Sequence, residues 1–228
     1  MKRTNTPSHA PNRPIRLVIV EDDDLFRDLL RMALANLPGL EVVADFGDAD
    51  RAEAEIPSLM PDVLLLDIDL GKGRNGVQLG LSLRQALPGV GIMLFSNHRE
   101  PDFLLSVPTE QAGGWSYLLK TSVRDVATLE RAIRGAASGL VILDPRLAVD
   151  FRSPLPGGSA LSERQVALLQ SIAQGFSNKA IAARLGLSEK TIENQLGVLY
   201  CELGIDTADS ETHARVQAAL HYLRGIAS

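Results

Sequence analysis

Two short apolar runs of this chain end in carboxylates, and this pattern constrains the fold more than any other feature. The run Ile15–Val20 is followed by an acidic cluster that starts at Glu21, and the run Val63–Leu66 is followed by Asp67. Apolar runs of this length, the first of which is broken only by Arg16, are typical of strands in a parallel sheet that is covered on both faces. Parallel strands that end together bring their acids to one edge, where open α/β sheets build their sites. The pattern therefore predicts a site for a hard divalent cation, in which one acid can also act as a nucleophile.

Residues 15–138 alternate between strand and helix patterns. The predicted strands are Ile15–Val20, Glu41–Phe46, Asp62–Asp67, Gly91–Phe95 and Trp115–Leu119. The amphipathic stretches predicted to be helices are Asp24–Leu37, Asp48–Leu59, Gly76–Leu87, Glu100–Gln111 and Val123–Ala137. Five strand–helix units predict a parallel sheet with helices on both faces.

The flanking and C-terminal segments have a different character. Residues 1–14 are basic and polar and predict a disordered tail, and residues 139–160, rich in proline and glycine, predict a linker with a short helix at 145–151. From residue 161 to residue 228 the pattern is helical, with a capping-box start formed by Ser162 and Gln165. Two predicted helices flank the tight turn at 185–188, which is typical of a helix-turn-helix.

Composition narrows the classes of function. No apolar run approaches the roughly 18 residues that span a bilayer, and no segment resembles a signal peptide, so we expect a cytoplasmic chain with no membrane partner. A single cysteine, Cys201, excludes an internal disulfide and a multi-cysteine metal site. The net charge of −5 is an unfavourable background for binding a polyanion.

Two more polar residues follow predicted strands at the same edge of the sheet. Ser96 follows the fourth strand and Lys120 follows the fifth. A hydroxyl and an ammonium group beside an aspartate suit phosphoryl transfer, because they can donate to phosphate oxygens and neutralise their charge.

The order and spacing of these motifs resemble a known family. Residues 15–138 resemble the receiver domain of two-component response regulators, and the residues from 161 onward resemble the helix-turn-helix of the NarL/FixJ (LuxR-type) branch. The first resemblance rests on VED at 20–22, LLLD at 64–67, Ser96 and YLLK at 117–120. The second rests on LSERQV at 161–166, GFSNKAIA at 175–182 and LSEKTI at 187–192.

The resemblance implies a fold and a function. The fold would be a flavodoxin-like α/β receiver, with a five-stranded parallel sheet of order 2-1-3-4-5, joined to a small all-α helix-turn-helix domain. The chain would not be an enzyme but a phosphorelay regulator of transcription, phosphorylated by a sensor histidine kinase and forming a homodimer on activation. Its other partner would be double-stranded DNA.

The resemblance also implies roles for individual residues. Asp67 would be the phosphoacceptor, Lys120 would pair with the phosphoryl group, and Ser96 and Tyr117 would be the switch pair, the ring turning inward on activation. The ligands of a Mg²⁺ cofactor would be Glu21, Asp22, Asp67 and the backbone carbonyl of Asp69.

The chain departs from the family pattern in two stretches of the predicted receiver domain. The loop after Asp67 is about one residue longer than usual, and Gly71 stands where the family has proline. The stretch from Ser96 to Lys120 is about two residues longer than usual, and Pro108 interrupts its helical pattern.

A phosphatase of the haloacid-dehalogenase type is a second interpretation, because Asp67 and Asp69 resemble its Asp-x-Asp opening. Those enzymes usually have threonine two residues after the second aspartate, where this chain has Gly71. They also need a later acidic pair at a strand end, and the sequence offers none.

The predicted recognition helix has few positive charges. Lys179, Lys190, Thr191 and Asn194 are the predicted DNA contacts, with Asn194 suited to read adenine and the others suited to phosphate. Residues 158–228 contain six lysines and arginines against seven aspartates and glutamates, whereas a DNA reader is normally basic.

Two outputs remain open at this point. One is weak DNA binding by a monomer that dimerises when Asp67 is phosphorylated. The other is a helix-turn-helix that contacts protein through a small apolar patch formed by Gly197, Val198 and Cys201.

Overall fold

The computed structural model describes residues 13–71, 75–97, 109–122, 125–150, 161–208 and 210–227. Most of the predicted tail, the predicted helix Glu100–Gln111 as far as Pro108, and the predicted linker from residue 151 onward lie outside the described residues. The strands are β1 Ile15–Val20, β2 Leu40–Phe46, β3 Val63–Asp67, β4 Gly91–Ser96, β5 Trp115–Leu119 and β6 Ile142–Leu143. The helices are α1 Asp24–Ala35, α2 Ala49–Leu59, α3 Gly76–Ala86, α4 Thr109–Ala112, α5 Val126–Ala137, α6 Glu163–Ala173, α7 Asn178–Leu185, α8 Glu189–Glu202 and α9 Glu211–Ala227.

One parallel sheet forms the core of residues 15–143. The strand order is β2-β1-β3-β4-β5-β6, and every adjacent pair is parallel. Successive side chains of a strand point to opposite faces, so Leu64 and Leu66 belong to one apolar cluster while Val63 and Leu65 belong to another. The predicted order 2-1-3-4-5 is confirmed, and the predicted strand count of five is corrected to six within the described residues.

The additional strand lies in the segment predicted to be a linker. Ile142 and Leu143 pair with Ser116 and Tyr117 of β5. The next residue, Asp144, is 1% exposed, and its carboxylate accepts hydrogen bonds of 2.8 Å from the backbone N–H groups of Leu119 and Arg146. A strand of two residues is too short to show a sequence period, which is why the pattern did not predict it.

Side-chain caps fix where the helices begin. Asp23 caps α1 by accepting from the Phe26 N–H, and this leaves the neighbouring Asp22 carboxylate available for other partners. Ser162 and Gln165 form the predicted capping box at α6, and Ser188 caps α8.

The helical domain buries one face of α8. Its buried residues are Ile192, Leu196, Leu199 and Tyr200, and the next residue after the helix, Leu203, is buried as well. Ile181 of α7 is buried, whereas Leu185 is 36% exposed. It lies at the C-terminal end of α7, beside the turn that begins at Gly186, so few neighbours cover it.

One of the contacts between the two domains is made by an arginine of α5 and the loop before α7. Arg131 on α5 donates from Nε to the carbonyl oxygen of Gln174 at 2.7 Å, and its guanidinium lies 4.2 Å from the ring centroid of Phe176. Arg184 approaches the same ring at 4.3 Å. A cation over an aromatic ring is an attractive contact, so these side chains fix the loop before α7 against α5.

Among the described helices, none combines the length and the apolar character needed to cross a bilayer.

A close approach of two backbone segments leaves no room for a side chain at one glycine. A Cβ atom at Gly76 would lie 1.9 Å from the carbonyl oxygen of Asp67, whereas one at Gly197 on α8 would meet nothing within 4 Å. We expect Gly76→Ala to lower the free energy of unfolding by about 1–3 kcal/mol because the β3–α3 connection must move. The matched control Gly197→Ala should raise it by about 0.5–1 kcal/mol, because alanine is the better helix former. Urea denaturation of both variants checks this, and an equal effect at the two positions would contradict it.

Candidate functional site

Three carboxylates converge at the carboxyl edge of the sheet. Glu21 and Asp22 directly follow β1, and Asp67 is the last residue of β3. Each offers an oxygen atom, and these oxygens lie within 4.8 Å of one another. Glu21 is 1% exposed and Asp67 is 2% exposed, whereas Asp22 is exposed to solvent. The pairing of β1 with β3 brings these acids together, in the arrangement that the strand ends predicted.

Lys120 neutralises part of this acidic cluster. It follows β5, and its Nζ atom donates to Asp67 Oδ2 at 2.8 Å and to Glu21 Oε1 at 3.0 Å. Burial works against the charged ammonium, but the hydrogen bonds to Asp67 and Glu21 outweigh it and raise the pKa of Lys120. The ammonium also lies 4.9 Å from the ring centroid of Phe26 on α1. Lys120 is therefore held in place as a cation between two buried carboxylates.

Glu21 remains incompletely satisfied. Its Oε2 atom lies 2.9 Å from Lys120 Nζ but has no hydrogen bond of acceptable geometry, so it is a buried oxygen without a donor. Burial raises the pKa of Glu21 to about 7, the hydrogen bond from Lys120 opposes this, and the charge of Asp67 adds to it. An orphaned carboxylate oxygen among acids fits a hard divalent cation such as Mg²⁺, which takes oxygen ligands.

The loop after Asp67 is shaped around the same acids. The backbone N–H of Asp69 donates to Asp67 Oδ1 at 3.2 Å. Gly71 has φ of +65°, and a Cβ atom there would lie 3.0 Å from Asp22 Oδ2. Proline holds φ near −65° and cannot adopt this conformation, which explains why this loop departs from the family pattern at Gly71. Residues 72–74 of the loop lie outside the described residues.

The two predicted switch residues are both buried beside the site. Ser96 ends β4 and is 2% exposed, and Tyr117 in the middle of β5 is 1% exposed. The ring of Tyr117 already packs in the apolar core in this structure. An inward turn of this ring on activation stays a prediction.

The predicted DNA contacts lie on α7 and α8 of the helical domain. Lys179, Lys190 and Asn194 are exposed, and Thr191 is half-buried because its N–H and hydroxyl bond to the capping Ser188. Sequence reasoning missed an ion pair: Lys190 Nζ lies 3.0 Å from Glu193 Oε2. The spacing of three residues on a helix was the signal that could have found it.

Comparisons with known proteins agree with both halves of this description. Residues 17–146 match the family model described as response regulator receiver domain, and residues 159–209 match the model described as bacterial regulatory proteins, luxR family. The nitrate/nitrite response regulator protein NarP of Escherichia coli is 33% identical over 218 residues, which cover 92% of this chain and 95% of NarP.

Two further similarities extend this result. The DNA-binding transcriptional activator DevR/DosR of Mycobacterium tuberculosis is 29% identical over 201 residues, which cover 84% of this chain and 89% of that protein. Among solved structures, an RcsB chain from the structure of two RcsB dimers bound to two parallel DNAs matches with a TM-score of 0.51 at 22% identity. The match covers 93% of this chain and 99% of that RcsB chain. At this identity the structural likeness concerns the fold.

Removing the ammonium group of Lys120 is expected to destabilise the protein, because the buried carboxylates of Asp67 and Glu21 then repel each other. Lys120→Met leaves two buried carboxylates without their ion pair, and we expect the free energy of unfolding to fall by about 3–5 kcal/mol. Added Mg²⁺ should restore part of this loss. The matched control is Lys190→Met, whose ion pair is exposed and should contribute less than about 1 kcal/mol. Urea denaturation with and without Mg²⁺ measures both effects. If the two variants lose the same free energy of unfolding, Lys120 is not the cation that stabilises the buried carboxylates.

Proposed function

Because the chain belongs to the response-regulator family that joins a receiver domain to a LuxR-type DNA-binding domain, we propose that phosphorylation of Asp67 controls how residues 161–228 bind double-stranded DNA. The chain is a response regulator that acts on transcription. The observation that carries the proposal is the position of Asp67 between a cation, Lys120, and two further carboxylates.

The geometry around Asp67 suits a phosphoryl acceptor. An Asp67 oxygen attacks the phosphorus of a donor phosphohistidine, a P–O bond forms, and the P–N bond of the donor breaks with the electron pair leaving on the imidazole. Lys120 Nζ, now 2.8 Å from Oδ2, then pairs with the phosphoryl oxygens. The backbone N–H of Asp69 holds the other Asp67 oxygen, and the Ser96 hydroxyl at the end of β4 donates to the phosphoryl group.

A magnesium ion belongs to this proposal. Glu21, Asp22 and Asp67, together with the backbone carbonyl of Asp69, would hold it. Bound Mg²⁺ supplies positive charge that offsets the charge of the phosphoryl oxygens during transfer. Lys120 compensates for part of the negative charge of the same carboxylates.

The proposed partners follow from this chemistry. A sensor histidine kinase supplies the phosphoryl group, and the chain accepts it on its own side chain and catalyses no reaction of a separate substrate. Kinase, regulator and chromosomal DNA then act in the cytoplasm. The phosphatase alternative is not retained, because residues 17–146 match the receiver family throughout.

Two separate sets of contacts lie between the acidic site and the helical domain. Lys120 follows Leu119, whose N–H is bonded to Asp144 in the segment that leads to the helical domain. On α5, Arg131 contacts the carbonyl of Gln174 and the ring of Phe176. We propose that a shift at Lys120 changes these contacts, releases the helical domain and favours a homodimer that binds two half-sites together.

The alternative output is supported by one observation. Val198 on α8 is 57% exposed and lies beside Gly197 and Cys201, which are exposed as well. This small apolar patch would suit contact with a protein, and a protein output predicts no affinity for DNA in either phosphorylation state.

The phosphoacceptor assignment has a sharp test. We expect Asp67→Asn to abolish phosphoryl uptake from acetyl phosphate with Mg²⁺, measured as the mass gain of one phosphoryl group on the intact protein. The matched control is Asp69→Asn, which keeps its backbone carbonyl and N–H and should retain uptake. Undiminished uptake by Asp67→Asn would place the acceptor elsewhere.

The DNA-binding output is tested separately. Gel-shift titration with genomic fragments should show binding at low salt that strengthens when acetyl phosphate is added, since two linked half-sites gain affinity through effective concentration. Asp67→Asn should show the weak binding alone. If neither state binds DNA at low salt, the protein-contact alternative replaces this output.

A further inference from the structure

On the exposed side of α8, Lys190 forms an ion pair with Glu193, and Glu189 and Glu202 are exposed acids as well. Lys190 and Glu193 lie one turn apart, and their side chains are 78% and 47% exposed. The opposite face, which includes Ile192 and Leu196, is buried against the rest of the domain. The ion pair of Lys190 and Glu193 therefore adds no net charge to the surface that would meet DNA.

An acid on a DNA-facing helix needs a reason, because phosphates repel it. The backbone of DNA offers only acceptors to a carboxylate, whereas the exocyclic amino group of cytosine in the major groove is a donor that a glutamate can accept from. An exposed ion pair is weak, so Glu193 can leave Lys190 when a better donor is present. Lys190 is then free to bind a phosphate oxygen.

The surroundings of Glu193 leave room for a base edge. Gly197 lies on the next turn of the same side, and a Cβ atom there would meet nothing within 4 Å. Asn194, the next residue, is exposed as well; with Val198 it lines an open groove of about 480 Å³ between α6 and α8, a groove that Glu193 itself does not line. A carboxylate, an amide and an apolar side chain can contact cytosine, adenine and a thymine methyl group respectively.

We propose that Glu193 is a specificity-determining residue that selects a cytosine in the major groove and, on any other sequence, keeps Lys190 from contributing a phosphate contact. This inference rests on the proposed DNA-binding function and adds the sequence class that α8 reads. Glu193 thereby lowers affinity for random DNA and couples the phosphate contact of Lys190 to recognition of the correct base.

A double-mutant cycle on the full chain, treated with acetyl phosphate, tests the proposal. The four proteins are the wild type, Glu193→Gln, Lys190→Met and the double variant. The probes are a duplex selected by the wild type from a randomised pool, single-base-pair variants of that duplex, and a duplex of unrelated sequence. Both side chains are exposed, and circular dichroism checks that the variants stay folded.

The expected result has two parts. The wild type should prefer one C·G pair by about 5- to 150-fold, and Glu193→Gln should lose this preference while the preference for the adenine contacted by Asn194 persists. On unrelated DNA, Glu193→Gln should bind more tightly, with the slope of log affinity against log salt steeper by about 0.9 per bound monomer. Lys190→Met should leave that slope unchanged in the wild type and remove the gain in the Glu193→Gln background.

The contrary outcomes are distinct. If Glu193→Gln keeps every base preference and the wild-type salt slope, Glu193 is only a solvated surface charge and the inference is overturned. If Lys190→Met lowers the slope equally in both backgrounds, Glu193 does not control Lys190, and that half of the proposal fails. If the wild type selects no duplex and binds none at low salt, the DNA-binding function itself is rejected.

Discussion

The ion pairs of Lys120 with Asp67 and Glu21 are the interaction on which the rest of the molecule depends. The three residues come from the ends of β5, β3 and β1, so only the observed strand order brings them together. Two nearly buried carboxylates side by side are costly, and burial with the nearby Asp67 charge raises the pKa of Glu21 to about 7. Lys120 offsets this cost only in part, because Glu21 Oε2 still lacks a hydrogen-bond donor. The electrostatics of the site therefore favour the binding of additional positive charge, and they make the site sensitive to a change in the charge of Asp67.

Much of this arrangement could be predicted from the sequence, for a definite physical reason. A strand buried on both faces appears as an unbroken apolar run, so the polar residue that ends it is conspicuous, and Asp67 and Lys120 were predicted at the sheet edge in this way. The helix caps were likewise predictable, because capping is a local interaction. Most contacts that escaped prediction are non-local: the β6 pairing, the burial of Asp144, and the approach of Gly71 to Asp22 each join residues far apart in the chain. The ion pair between Lys190 and Glu193, three residues apart, is the local exception. The family resemblance named Asp22 as a metal ligand, and the structure places Asp22 in the acidic cluster while the adjacent Asp23 caps α1.

The short strand β6 matters more than its length indicates. Asp144 donates from its backbone N–H to the Tyr117 carbonyl and accepts from the Leu119 N–H, so it is fixed to the strand that also positions Lys120. Arg146, in the turn that follows, donates to the hydroxyl of Thr121 beside Lys120. The start of the connection between the domains is thus bonded directly to the segment that carries Lys120, the ion-pair partner of Asp67. A shift of that segment by a fraction of an ångström would have to be accommodated by the connection, because a buried carboxylate is costly to leave without its donors.

The low positive charge of the helical domain also has a functional logic. A domain rich in lysine and arginine would bind DNA strongly as a monomer, and phosphorylation would then change its occupancy little. A domain with six basic and seven acidic residues between 158 and 228 offers few phosphate contacts, so under the proposed function its occupancy would depend on engaging two half-sites together. If Glu193 withholds Lys190 from phosphate as proposed, this ion pair acts in the same direction. Weak individual binding would then make the output responsive to a single phosphoryl group on Asp67.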